Sequence, residues 1–87
     1  MSGTAITELL RQLHTALERT PSLGEQDREQ LAQLARDIQA LLAQPDDAAN
    51  QSTTERLRDA IVRFEVTHPD VTGVLASVSK ALSDMGI

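Results

Sequence analysis

The sequence predicts an all-α fold: four amphipathic helices, paired as two antiparallel hairpins, forming an up-down bundle. Three observations carry this. Apolar residues recur at helical spacing in four separate segments. Pro21, Pro45 and Pro69 stand at the three breaks between those segments. Each stripe fills heptad positions a, d and e, the width of a helix lying on a globular core rather than a coiled-coil seam.

The first helix is expected over about 4–19, with Ile6, Leu9, Leu10, Leu13, Ala16 and Leu17 on one face and Thr4 as N-cap. Pro21 ends it. Ser22 and Glu25 have capping-box spacing, and Glu25, Asp27 and Glu29 suit the positive end of a helix dipole. The second helix is therefore expected over about 23–43. Its stripe is Leu31, Leu34, Ala35, Ile38, Leu41 and Leu42, and its polar first turns are expected either to overhang the core or to be covered only by Leu23.

Residues 44–52 read as a polar linker between the hairpins and as a hinge for a swapped dimer. Ser52 and Glu55 repeat the capping-box spacing, so the third helix is expected over about 53–67, with Leu57, Ala60, Ile61 and Phe64 inward. The stretch from Val62 to Thr67 is contested. Val62, Phe64 and Val66 alternate with Arg63, Glu65 and Thr67, which is strand periodicity. Helix is favoured, because a strand here has no partner unless a second copy supplies one. His68 precedes a proline and so resists helical backbone, while Pro69 suits the first position of the last helix, expected over about 69–85. Val71, Val74, Leu75, Val78, Ala81, Leu82 and Met85 form its stripe, and Gly86 is placed to close it. Its Gly73, Ala76, Ser77 and Lys80 make a low-relief stripe that admits close approach of another helix. This helix is expected to be the best buried.

With 87 residues the chain is expected to form a single helical domain, 1–87, with a small core. It has no cysteine, which removes disulfides and thiolate metal sites. Self-association is the remaining way to enlarge the core, so the bundle is expected to form within one chain or to be shared in a dimer. The net charge is −5 and the pI about 4.8, which sets the chain against nucleic-acid backbones. One aromatic residue gives no stacking platform. No signal peptide or membrane-length apolar run is recognisable, so a cytoplasmic protein without membrane contact is expected.

Several segments resemble a known family. They are Leu9-Leu10-Arg11-Gln12-Leu13-His14 with Leu17-Glu18, Thr20-Pro21-Ser22-Leu23, the stretch from Leu31 to Leu42, Arg63-Phe64-Glu65-Val66-Thr67-His68-Pro69, and the closing Met85-Gly86-Ile87. Together these are similar to a family of short, uncharacterised bacterial proteins known only as a domain of unknown function. The resemblance spans nearly the whole chain. Its specific parts are the Phe-Glu-Val-Thr-His-Pro run and the Met-Gly-Ile end. It implies a mainly helical, soluble bacterial protein and supplies no activity, so no functional residue is carried over.

Catalytic patterns are weak. Glu65 and His68 have the i, i+3 spacing of helical di-metal carboxylate sites. Such sites need a second pair and two further glutamates, and Pro69 interrupts the helix where His68 must be held. His14 and Glu18 read as an ordinary exposed i, i+4 pair. No serine lies in a nucleophile elbow, the glycines are scattered, and Asp46-Asp47 lacks calcium-loop spacing. Arg56, Arg58 and Arg63 form the one basic cluster, with Glu55, Asp59 and Glu65 there to neutralise it. No cofactor is expected.

Val62 and Val66, one turn apart, lie off the main stripe. They are expected either to pack on a neighbouring element or to form a contact surface. The leading expectation is a non-enzymatic protein-interaction module, self-associating as a homodimer and open to another protein partner. Val62, Val66, Gly73, Ala76 and Ser77 are its candidate interface. The alternatives are a metal-binding protein centred on Glu65 and His68, and an acidic antagonist that meets a basic partner through Asp46, Asp47 and the acids of the second helix.

Overall fold

The computed structural model describes residues 2–86, with the side chains of residues 2–4 left aside. Its four helices are α1 (Ser2–Glu18), α2 (Glu25–Ala43), α3 (Asp47–Phe64) and α4 (Pro69–Asp84). No strand occurs among the described residues, so the strand reading of 62–67 is overturned. The molecule measures 33 × 24 × 18 Å. A 19-residue helix such as α2 is about 28 Å long at 1.5 Å per residue, so the helices lie side by side. Each packs on the next in sequence, and α4 returns to α1 as the most extensive pair. The diagonal pairs α1/α3 and α2/α4 face one another across the core. This is the up-down bundle the stripes require.

The core takes one stripe from every helix. Ile6, Leu10, Leu13 and Leu17 come from α1, and Leu31, Leu34, Ile38 and Leu41 from α2. Leu57 and Phe64 come from α3, and Val71, Leu75, Val78 and Leu82 from α4. Leu23 is buried from the α1–α2 loop. Thr53 is buried as well. It stands four residues before Leu57, so a polar residue completes the α3 stripe. Contrary to expectation, α4 is not better buried than α1. Each contributes four buried residues, and the Gly73–Ala76–Ser77 side of α4 is exposed.

Helix starts differ from the expected caps. Helix α1 is already helical at Ser2, which places Thr4 inside it. The N-cap of α2 is Gly24, extended at φ −61° and ψ 149°, with no side-chain cap. The Ser22–Glu25 capping box is therefore not formed. Burial of Leu23 sets this turn: its N–H donates to the Thr20 carbonyl at 3.1 Å, and the helix starts only after it. Helix α3 starts at Asp47, capped by the Asp46 carboxylate, which accepts from the Ala49 N–H at 3.1 Å. The 44–52 linker thus shrinks to residues 44–46, and Ser52 lies mid-helix. A competent acidic cap directly after Pro45 wins over the later serine.

Helix α3 ends at Phe64, three residues before the expected Thr67. The His68 backbone sits at φ −139° and ψ 70°, outside the helical region, as a residue before proline prefers. The His68 N–H still donates to the Phe64 carbonyl at 2.8 Å, which keeps the turn tight. Pro69 takes the first helical position, and Gly86 follows α4 with φ 80°, as expected of a C-terminal glycine.

Candidate interaction surface

The α3 stripe fixes what α3 shows to solvent. Thr53, Leu57, Ala60 and Phe64 step inward at intervals of four, three and four residues. At about 100° per residue, Val62 is carried to the opposite side. It is 65% exposed, and Val66, one turn on, is 85% exposed. They are the large exposed hydrophobics among the described residues, so packing on a neighbouring element is ruled out for both. Arg58, Asp59, Arg63 and Glu65 surround them and are all exposed.

The inward side of the same corner is held tightly. Phe64 is buried, and its ring meets the His68 ring edge-on, 5.7 Å between centroids at 70°. The Arg63 guanidinium lies 5.4 Å from the Phe64 ring centroid and bonds Asp27 on α2 at 2.7 Å. The two loops at this end touch where Ser22 Oγ and His68 Nε2 approach to 3.4 Å. Thr67 Oγ1 lies 3.0 Å from His68 Nδ1. Both nitrogens of His68 thus face hydroxyl groups, and Glu65 is exposed. Among the described residues no group of three or more His, Asp or Glu side chains is arranged to hold a metal, so the Glu65–His68 pair has no third ligand.

On α4, Gly73, Ala76 and Ser77 are exposed. A Cβ added at Gly73 meets nothing within 4 Å. The Ser77 hydroxyl donates to the Gly73 carbonyl at 3.1 Å. That bond folds the one polar group of this stretch onto its own helix and leaves a smooth surface.

The arginines of α3 are paired differently from the sequence reading. Arg56 bonds Asp37 at 2.6 Å and Arg63 bonds Asp27 at 2.7 Å, both across to α2 rather than to neighbours on α3. The Arg56 hydrogen bond, with a second from Gln33, holds the Asp37 carboxyl below its ordinary pKa. Between these two pairs runs an open groove of about 400 Å³ over Leu31, Leu34, Ala60 and Phe64. Asp27 and Asp37 are therefore engaged inside the molecule and Asp46 caps α3, which thins the acidic surface an antagonist of a basic partner would present. His14 and Glu18 form the exposed i, i+4 pair expected, at 3.5 Å.

Sequence reasoning missed Arg28. Its guanidinium reaches back over the α1–α2 loop to the carbonyls of Leu17, Thr20 (3.2 Å) and Leu23 (3.3 Å). Helix α1 has no basic residue in its last turn, and Arg28 supplies the missing cation from the next helix. Only the absence of a basic residue from Thr15 to Glu18 hints at this in the sequence.

The fold and surface define a small four-helix up-down bundle, and no helix among the described residues is long and apolar enough to cross a membrane. The chain belongs to the family described as "Domain of unknown function (DUF4404)", whose model matches residues 6–87. No curated protein and no solved structure matches it.

Proposed function

We propose that this protein is a non-enzymatic helical interaction module that self-associates through the outer side of α3 and the turn into α4. Val62 and Val66 form the apolar centre, and the exposed Gly73, Ala76 and Ser77 of α4 are included in the surface. One observation carries the reading: two valines one turn apart are 65% and 85% exposed while every helix already has a filled inward stripe. A single exposed apolar residue needs no explanation. A pair on one face, in a chain with so small a core, is a surface that gains from cover.

The patch is smaller than the roughly 800 Å² per partner of a standard stable interface, so association is reversible and concentration-dependent. The reading places the protein in the cytoplasm, in keeping with a chain that has no cysteine. Analytical ultracentrifugation of the wild type and of a Val62→Asp, Val66→Asp double variant tests it. A dimer for the wild type and a folded monomer for the variant are expected. A wild type that stays monomeric, or a variant dimer equal to the wild type, rejects the assignment.

A further inference from the structure

We infer that the first half of α3, residues 47–55, is a strap that unwinds and recloses while the rest of the bundle stays folded, uncovering Leu41 of α2. This goes beyond the self-association proposed above and does not depend on it, because the segment lies at the far end of α3 from Val62. The distribution of the core carries it. Cut at its midpoint, each of α1, α2 and α4 buries two apolar side chains in either half, as α4 does with Val71 and Leu75 and then Val78 and Leu82. The second half of α3 buries Leu57 and Phe64. Its first half buries Thr53 and no apolar residue. The apolar side chains there are those of Ala48 and Ala49, both exposed.

Local structure does not make up for the missing contacts. Asn50, Ser52, Thr53 and Thr54 are weaker helix formers, since their side chains compete for backbone hydrogen bonds. A helix this short does not hold in water without packing. The Asp46 cap on the Ala49 N–H, at 3.1 Å, stays within the segment and its own loop. So does the bond from the Thr54 hydroxyl to Asn50 Oδ1, at 3.2 Å. Neither ties the segment to another helix. The nearest ion pair to another helix among the described residues is Arg56–Asp37, just past the segment, and it marks where unwinding stops. The seam beneath is already gapped. An open groove of about 560 Å³ runs between α2 and α3 here, with Ala40 and Leu41 on one side and Ala49 and Thr53 on the other. Leu41 is 3% exposed, and lifting Thr53 away lets solvent reach it. Segments with few buried apolar contacts open at lower free energy than the whole protein.

Native-state hydrogen exchange, followed by NMR across a series of low urea concentrations, tests this. The amides of Gln51–Glu55 have their helical acceptors inside the strap. They are expected to exchange about 100-fold faster than those of Ile61–Phe64 and of α4, with little urea dependence. Val71→Ala, at the opposite end of the bundle, is expected to speed the slowest α1 and α4 amides about tenfold and to leave Gln51–Glu55 unchanged. The chain has no cysteine, so Leu41→Cys and Leu34→Cys, on the same buried stripe, can each be labelled with a thiol reagent in native buffer. Leu41→Cys is expected to react about tenfold faster. Ordinary fraying would free the first turn alone and leave Gln51–Glu55 as protected as Phe64. That result, or exchange at Gln51–Glu55 that speeds with Val71→Ala, overturns the strap. Equal labelling of the two thiols overturns the uncovering of Leu41.

Discussion

The guanidinium of Arg28, on α2, donates to the backbone carbonyl of Leu17 near the end of α1. The same group reaches the carbonyls of Thr20 and Leu23, so one side chain closes the last turn of α1 and fixes the loop that buries Leu23. Hydrogen bonds from a charged donor contribute about 1.5–3 kcal/mol. Arg28→Ala should lower stability by about that amount in urea unfolding. Arg28→Lys should recover only part of it, because an ammonium lacks the planar fork that spans three carbonyls.

The start of α3 gives a second test. Asp46 caps the helix through the Ala49 N–H, and Ser52 lies a turn and a half inside it. Asp46→Ala should cost about 0.5–2 kcal/mol, and Ser52→Ala should stay within about 0.5 kcal/mol of the wild type. Chemical denaturation of the two variants side by side measures the difference.

The Asp37–Arg56 pair predicts a pH dependence. The folded protein holds the Asp37 carboxyl below its ordinary pKa, chiefly through the Arg56 hydrogen bond. A depressed carboxylate adds stability above its unfolded pKa and loses it as pH falls through the folded value. Asp37 is one-third exposed and Arg56 more so, which limits the gain to about 1 kcal/mol or less. Wild type should therefore exceed Asp37→Asn slightly at about pH 7, and the gap should close below about pH 4. Urea titrations across that range read it directly.

Gly73 is an interior residue of α4 with open space where a Cβ would sit. Glycine in a helix costs about 0.5–1 kcal/mol relative to alanine. Gly73→Ala should raise monomer stability by that amount, measured by thermal unfolding at low protein concentration. A drop in stability would mean that the α4 surface is more crowded than its geometry indicates.

Residue pattern alone revealed most of the fold, because the four stripes are wide and each break carries a proline. Pro69 and Gly86 do what their chemistry dictates, and Phe64 is the core anchor its position on the stripe implied. The caps were harder to read. Ser22, Ser52 and Asp46 are all competent capping residues, and the choice among them is made by tertiary packing: Leu23 has to reach the core, and Asp46 follows Pro45 directly. Thr53 completes the α3 stripe with a polar residue, which hid the upstream half of that helix. The pairs Arg28–Leu17, Arg56–Asp37 and Arg63–Asp27 join residues 11, 19 and 36 positions apart, and no local spacing encodes them. The candidate surface was legible in Val62 and Val66 because an apolar residue off the stripe has no place in the core.

The most direct measurement of the central claim is a dilution series of ¹⁵N-labelled protein followed by two-dimensional NMR. Concentration-dependent shifts and broadening should concentrate at the amides from Arg58 to Val66, extend to Gly73, Ala76 and Ser77, and spare the outer sides of α1 and α2. Spectra that do not change with concentration, or changes centred on α1 or α2, would contradict it.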